Sequence, residues 1–131
     1  MHNLHDTILP IFYPEATESD DSDDNITKIR NVLNWTDALV LGSPDYHGSI
    51  SGVSKNFLDY YFDEFAGKTF GYLCSSHEKV LTVMDQMRTV VRQCYGWSMP
   101  YGVSINGEQN FDAKRDIRNI GLGTTVRNAR T

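Results

Sequence analysis

The densest chemistry in this chain lies in Ser43-Pro44-Asp45-Tyr46-His47-Gly48-Ser49-Ile50-Ser51-Gly52. A carboxylate, an imidazole, a flat phenol and several hydroxyls alternate with glycines that let a backbone come close to a ligand. The backbone N–H groups of such a loop, the Ser49 hydroxyl, or the first N–H groups of a helix opening near Val53 can satisfy acceptors on a bound molecule. Tyr46 adds a planar face. The set suits a planar ring that carries donors and acceptors along its edge, and on residue types alone it suits an ordinary turn with a helix cap equally well. Other chemistries fail on inspection. Ile50 stands at the centre of Gly48-Ser49-Ile50-Ser51-Gly52, where a nucleophile elbow requires serine. No Gly-x-x-x-x-Gly-Lys phosphate loop occurs, and His2 and His5 have no cysteine or carboxylate partners in a zinc spacing.

The elements around this loop decide what it can do. Ala38-Leu39-Val40-Leu41 is apolar at both parities, which suits a parallel strand covered on both faces. Lys68 to Cys74 reads as a second strand with Ser75-Ser76-His77-Glu78 as its exit, and Met99 to Ile105 as a third, closed by the Asn106-Gly107 turn signal. Ile26, Ile29, Arg30 and Leu33 keep helical spacing behind a cap at Asp23 or Asp24. From Val53 through Phe65 the apolar positions cover more than one stripe of a helix, which calls for burial on two sides, one of them a subunit partner or a tightly packed core. Val80, Val83, Met84, Met87, Val90, Val91 and Cys94 form the clearest amphipathic helix, with Gly96 expected at its C′ position. A last helix is expected from about Phe111-Asp112, weakening toward Gly121 and Gly123, with a frayed tail from Thr125 to Thr131. Alternation of this kind predicts an α/β fold with a parallel sheet, in which ligands sit beyond the carboxyl ends of the strands. Two strand exits then become candidates, Ser43 to Gly52 and Cys74 to His77.

The first exit resembles the NADPH-dependent FMN reductase family, flavodoxin-like flavoproteins with a Pro-Glu-Tyr-Asn-Gly-Ser-Ile-Pro-Gly type loop followed by a Leu-Lys-Asn-x-x-Asp helix. Here the loop is Pro44-Asp45-Tyr46-His47-Gly48-Ser49-Ile50-Ser51-Gly52, and the helix carries Lys55, Asn56 and Asp59. Asp45, His47 and Ser51 replace Glu, Asn and Pro. The resemblance runs from about Asp6 through Ile105. It implies a three-layer α/β/α fold and an FMN cofactor whose isoalloxazine ring is lined by Pro44, Asp45, Tyr46, His47, Gly48 and Ser49. Ser75 and Ser76 are the second set of cofactor-binding positions; they stand where the family has a Thr-Gly-Gly-like segment with a bare backbone. It also implies hydride transfer from NADPH or NADH to the flavin, and then to free flavin, a quinone, an azo compound or a metal ion. Hydride transfer through a flavin needs no protein base, so His47 and His77 are given no catalytic role. The family opens with a strand, a Ser- and Gly-rich phosphate loop with an Arg, and a first helix, for which this sequence has no counterpart. The expectation is an N-terminally truncated flavodoxin-like domain over 1–131, whose alternative is a non-catalytic interaction protein that no longer binds FMN. A one-electron flavodoxin-type carrier fits the loop less well.

Size and charge narrow the rest. A chain of 131 residues holds one domain of ordinary size. A net charge of −5 argues against general affinity for nucleic acid or anionic membranes, leaving small molecules and proteins as partners. The acidic run from Glu15 to Asp24 reads as a solvated surface loop rather than a metal site. The two cysteines, Cys74 and Cys94, give no disulfide framework and read as small buried hydrophobes in a reducing compartment. With no leader-like start and no long apolar run, a cytoplasmic location is expected, and a homodimer or higher homo-oligomer follows from the resemblance and the aromatic helix.

Overall fold

The computed structural model describes residues 3–16, 23–76 and 81–106. The expected last helix, the tail, His77 and most of the acidic run lie outside the described residues. Helix α1 spans Asp24–Trp35, and the Asp23 carboxylate caps it by accepting the N–H groups of Asn25 at 2.7 Å and Ile26 at 3.4 Å. Of the two candidate caps, the first is used. Ile26, Ile29 and Leu33 are buried on its inner face. The chain then turns through Thr36 and Asp37 into strand β1, Ala38–Tyr46.

Strand β1 is longer than the apolar run that announces it. It continues through Ser43, Pro44 and Asp45, so most of the expected loop is strand. Reversal takes only two residues, His47 and Gly48, both with positive φ (58° and 77°), and strand β2, Ser49–Ile50, pairs back on Asp45 and Tyr46. Two consecutive left-handed residues make the tight turn whose twist matches a hairpin. Helix α2, Gly52–Tyr60, follows directly, with Ser51 as its cap: the Ser51 hydroxyl accepts the Ser54 N–H at 3.1 Å.

The helix expected to reach Phe65 stops at Tyr60. Tyr61 and Phe62 lead into a single 3-10 turn, Asp63–Phe65, because Tyr61 and Phe65 are drawn fully into the core against Phe57 and Phe70. The aromatic surplus is thus spent mainly on the core, with Phe62 and Val53 left exposed. Strand β3 is Thr69–Ser75, helix α3 is Leu81–Gln93 and strand β4 is Trp97–Ile105.

Gly96 is not the left-handed residue that ends α3. Tyr95 takes that conformation (φ 58°), its N–H bonding Arg92 O and the Gly96 N–H bonding Val91 O, the paired bonds of a Schellman motif. Glycine is needed at 96 for space, since a Cβ there would lie 2.8 Å from Val91 Cγ1 and 3.0 Å from the Phe70 ring.

The four strands run in the order β2-β1-β3-β4, with β1, β3 and β4 parallel and β2 antiparallel to β1. Register places Pro44 beside Ser75, which brings the two candidate exits to the same end of the sheet. Phe70, Tyr72 and Cys74 alternate onto one face of β3 and form the core with Leu33 of α1, Leu58 of α2 and Val83, Met87 and Val91 of α3. The apolar run at Leu39–Leu41 predicts cover on both faces, yet among the described residues the helices lie on one. Val40 is 68% exposed and shares the other face with Leu73 and Met99.

Candidate functional site

The site is built at the carboxyl ends of β1 and β3. Asp45 is its hinge: one carboxylate oxygen accepts the Gly48 N–H at 2.7 Å, closing the turn, and the other accepts the Ser76 hydroxyl at 3.2 Å. Ser76 is itself held by its N–H on Ile105 O at 2.9 Å, so the ends of β1, β3 and β4 are tied in series. Tyr46, next to this carboxylate, is 62% exposed. The Ser76 side chain is folded onto Asp45, and Ser75 is in register with Pro44.

Pro44, Asp45, Tyr46, His47, Gly48, Ser49, Ser75 and Ser76 are therefore neighbours at one sheet end. His47 occupies the left-handed turn position, which histidine and asparagine tolerate better than most residues, and this gives its substitution for the family's Asn a conformational reason. Outside this ring of residues, the buried Ser43 hydroxyl accepts the Ser51 N–H at 3.0 Å and donates to Pro44 O at 2.9 Å, anchoring the far side of the hairpin to β1.

Sequence reasoning missed Gln86 on α3. Its side-chain oxygen accepts both the Ser49 hydroxyl and the Ile50 N–H, each at 3.0 Å. Nothing in an isolated Gln on the polar side of an amphipathic helix signals such a contact. The helix signature has a different role from the loop. Lys55 pairs with Asp59 along the surface of α2, while Asn56 accepts the Phe12 N–H at 2.8 Å and donates to Pro10 O at 2.8 Å. Asn56 thus fastens the segment before α1 to α2. Cys74 lies under the site, where burial and, secondarily, the charge of Asp45 push its thiol pKa up. Among the described residues no group of three His, Cys, Asp or Glu could hold a metal ion, and no helix is long and apolar enough to cross a membrane.

A second feature borders the site. A cleft of about 830 Å3 runs along the outer edge of β1, lined by Ala38, Leu39 and Leu41 together with Leu33, Phe57 and Leu4.

Comparison with known proteins places the chain among flavoproteins of this fold. The chain is 34% identical over 84 residues to the FMN-dependent NADPH-azoreductase of Staphylococcus saprophyticus, covering 63% of this chain and 45% of that protein. It is 34% identical over 99 residues to the FMN-dependent NADPH-azoreductase of Staphylococcus aureus strain USA300, covering 74% and 52%. The chain thus spans about half the length of the curated relatives it matches. Among solved structures it is similar to FerB, a flavoenzyme NAD(P)H:(acceptor) oxidoreductase from Paracoccus denitrificans. That match has a TM-score of 0.79 at 16% identity and covers 98% of this chain and 74% of that one. The apo form of an NADH:FMN oxidoreductase, EMOB, gives a TM-score of 0.72 at 20% identity over 90% and 63%. These likenesses establish the flavodoxin-like fold. The sequence pattern of one family matches residues 1–110, and by that match the chain belongs to the NADPH-dependent FMN reductase family.

Proposed function

We propose that this chain builds the ring-binding side of an FMN-dependent NAD(P)H oxidoreductase that reduces a small acceptor such as free flavin, a quinone, an azo compound or a metal ion. The observation that carries the reading is Asp45 joining the β1 hairpin to Ser76, which sets an exposed tyrosine and a tight turn against the second strand exit. The residues present fit the isoalloxazine ring: Tyr46 offers a flat face, and the left-handed turn at His47 and Gly48, whose own Gly48 N–H is held by Asp45, lets the backbone come close with no bulky Cβ at the glycine. The fit extends to the ring alone, since the described residues offer no Ser-, Gly- and Arg-containing phosphate loop at a helix start. FMN, when bound, supplies the hydride chemistry. Pro44, Asp45, Tyr46, His47, Gly48 and Ser49 hold and orient the ring, with Ser75 and Ser76 bounding it from β3, and no protein base is assigned. NADPH or NADH is the reductant. The azo compound among the acceptors takes its support from the two staphylococcal relatives.

The chain is read as one flavodoxin-like domain over 1–131. A cytoplasmic location takes its support from two buried free thiols, and a homodimer from the exposed Val53 and Phe62 at the two ends of the α2 region.

A second reading is favoured by the cleft along β1. A strand edge in an apolar cleft presents unpaired backbone groups to another strand, which suits a non-catalytic flavodoxin-like protein that pairs with a partner chain. Titration with FMN, followed by quenching of flavin fluorescence and controlled with riboflavin, separates the two. Binding followed by flavin-dependent NAD(P)H oxidation supports the oxidoreductase. Absence of binding by either flavin overturns it and leaves the partner reading in front.

A further inference from the structure

Resting on the FMN reading above, the geometry points to Gln86 as the positioning residue of the flavin loop: one side-chain carbonyl on α3 sets where the Ser49–Ile50 strand stands and which way the Ser49 hydroxyl is polarised. The polarity follows from elementary chemistry. A backbone N–H can only donate, so the Gln86 atom 3.0 Å from Ile50 N is the carbonyl oxygen, not the amide nitrogen. The Ser49 oxygen lies 3.0 Å from that same atom and must donate its only proton there. Ser49 is left with acceptor capacity alone, so its side chain recognises a donor on a ring edge and offers no proton to a ring acceptor.

The position matters because the hairpin is short. Strand β2 has two residues, and its pairing with β1 covers Asp45 and Tyr46 only. Such a two-stranded ribbon is marginal by itself. Asp45 closes the turn from within, and Ser43 secures the residue after β2. Gln86 reaches both residues of β2 from an element 36 and 37 residues away in sequence, across a cleft of about 730 Å3 that lies between the hairpin and α3. Gln86 acts through Ser49 and Ile50.

The test compares Gln86→Met, which keeps length and removes the acceptor, with Gln86→Glu, which keeps an oxygen able to accept both bonds. Amide hydrogen exchange of Ile50 in the flavin-free protein reads the tie itself, and FMN titration reads its consequence. Loss of two hydrogen bonds at a ligand loop corresponds to about tenfold in each quantity. The expected result is an Ile50 amide that exchanges about tenfold faster and FMN binding about tenfold weaker in Gln86→Met, with Gln86→Glu within about threefold of wild type in both. Should Gln86→Met not fold, Gln86→Asn, which withdraws the carbonyl by one methylene, is read in the same way. Unchanged Ile50 exchange overturns the tie, and faster exchange with unaltered FMN affinity overturns the positioning role. Failure of the wild-type chain to bind FMN is seen before any variant is made and overturns the parent reading together with this one.

Discussion

Asp45 shows how much a single carboxylate does when its two oxygens are given different partners. One oxygen shapes the turn and the other couples β1 to β3, so the residue holds the site's geometry even without touching a ligand. Asp45→Ala removes both acceptors and is expected to weaken FMN binding by about tenfold or more, whereas Asp45→Asn keeps one acceptor for Gly48 and can exchange donor and acceptor roles with Ser76. A fluorescence titration of both variants checks this, and equal losses in the two would deny the geometric role. His47 gives the complementary case of a residue kept for its backbone. At φ 58° a β-branched side chain is strained, so His47→Val should lower stability by about 1–2 kcal/mol, while His47→Asn and His47→Gly should be close to neutral. Denaturant unfolding of the three variants decides it; a loss of similar size in all three would mean that the imidazole itself contributes. The turn was legible in the sequence because Asp, His and Gly are turn residues for known reasons. Gln86 was not, because a contact between residues 36 apart depends on how α3 sits on the sheet, which no local pattern encodes.

At the scale of elements, the sequence located strands β1, β3 and β4 and the three described helices but not all of their ends, and it read the short strand β2 as part of a loop. Strand β1 outruns its apolar run because pairing with β3 continues to Pro44, and α2 falls short because burying Tyr61 and Phe65 favours leaving the helix after Tyr60. Boundaries are decided by tertiary partners, and those are invisible to periodicity. The same holds for glycine. Gly96 looked like a helix terminator, but Tyr95 adopts the left-handed conformation and Gly96 yields room to Val91 and Phe70, both fully buried. Gly96→Ala therefore meets a packed core, and we expect a loss of about 1–3 kcal/mol by overpacking. Tyr95→Gly, which relieves the strained position, should be neutral or stabilising apart from the edge contact it makes with Phe62. Thermal melts of the pair assign the two roles, and the reverse order of stability would restore the sequence-based expectation. Asn56 is the element-scale counterpart of Asp45. Its amide bonds both the Pro10 carbonyl and the Phe12 N–H, and Asn56→Ala should cost about 2 kcal/mol through the two lost bonds.

At the scale of the whole molecule, the buried tyrosines and cysteines among the described residues shift the same way, and this bears on how stability varies with pH. Tyr61, Tyr72, Cys74 and Cys94 each have a pKa raised first by desolvation, so each is held neutral in the fold and ionises more readily in the unfolded chain. A raised pKa in a neutral acid contributes stability that is full below the unfolded value and lost as pH climbs through the folded one. Unfolded thiols ionise near about 8.5 and phenols near about 10, so the loss begins with the two cysteines and steepens with the two tyrosines. Tyr61 separates the contributions. Its hydroxyl donates to Ile26 O at 3.1 Å in the core, a bond added to the helical one that carbonyl accepts within α1, so Tyr61→Phe loses a buried hydrogen bond and is less stable at neutral pH. Phenylalanine cannot ionise in the unfolded chain, however, so the variant escapes part of the alkaline penalty. The two Tm curves, measured from pH 7 to 11, are expected to lie apart at neutral pH and converge above about pH 10. Parallel curves over that range would mean that Tyr61 ionises as easily in the fold as outside it. The core at Tyr61 would then be open to water, against its full burial between α1 and the aromatics of the α2 region.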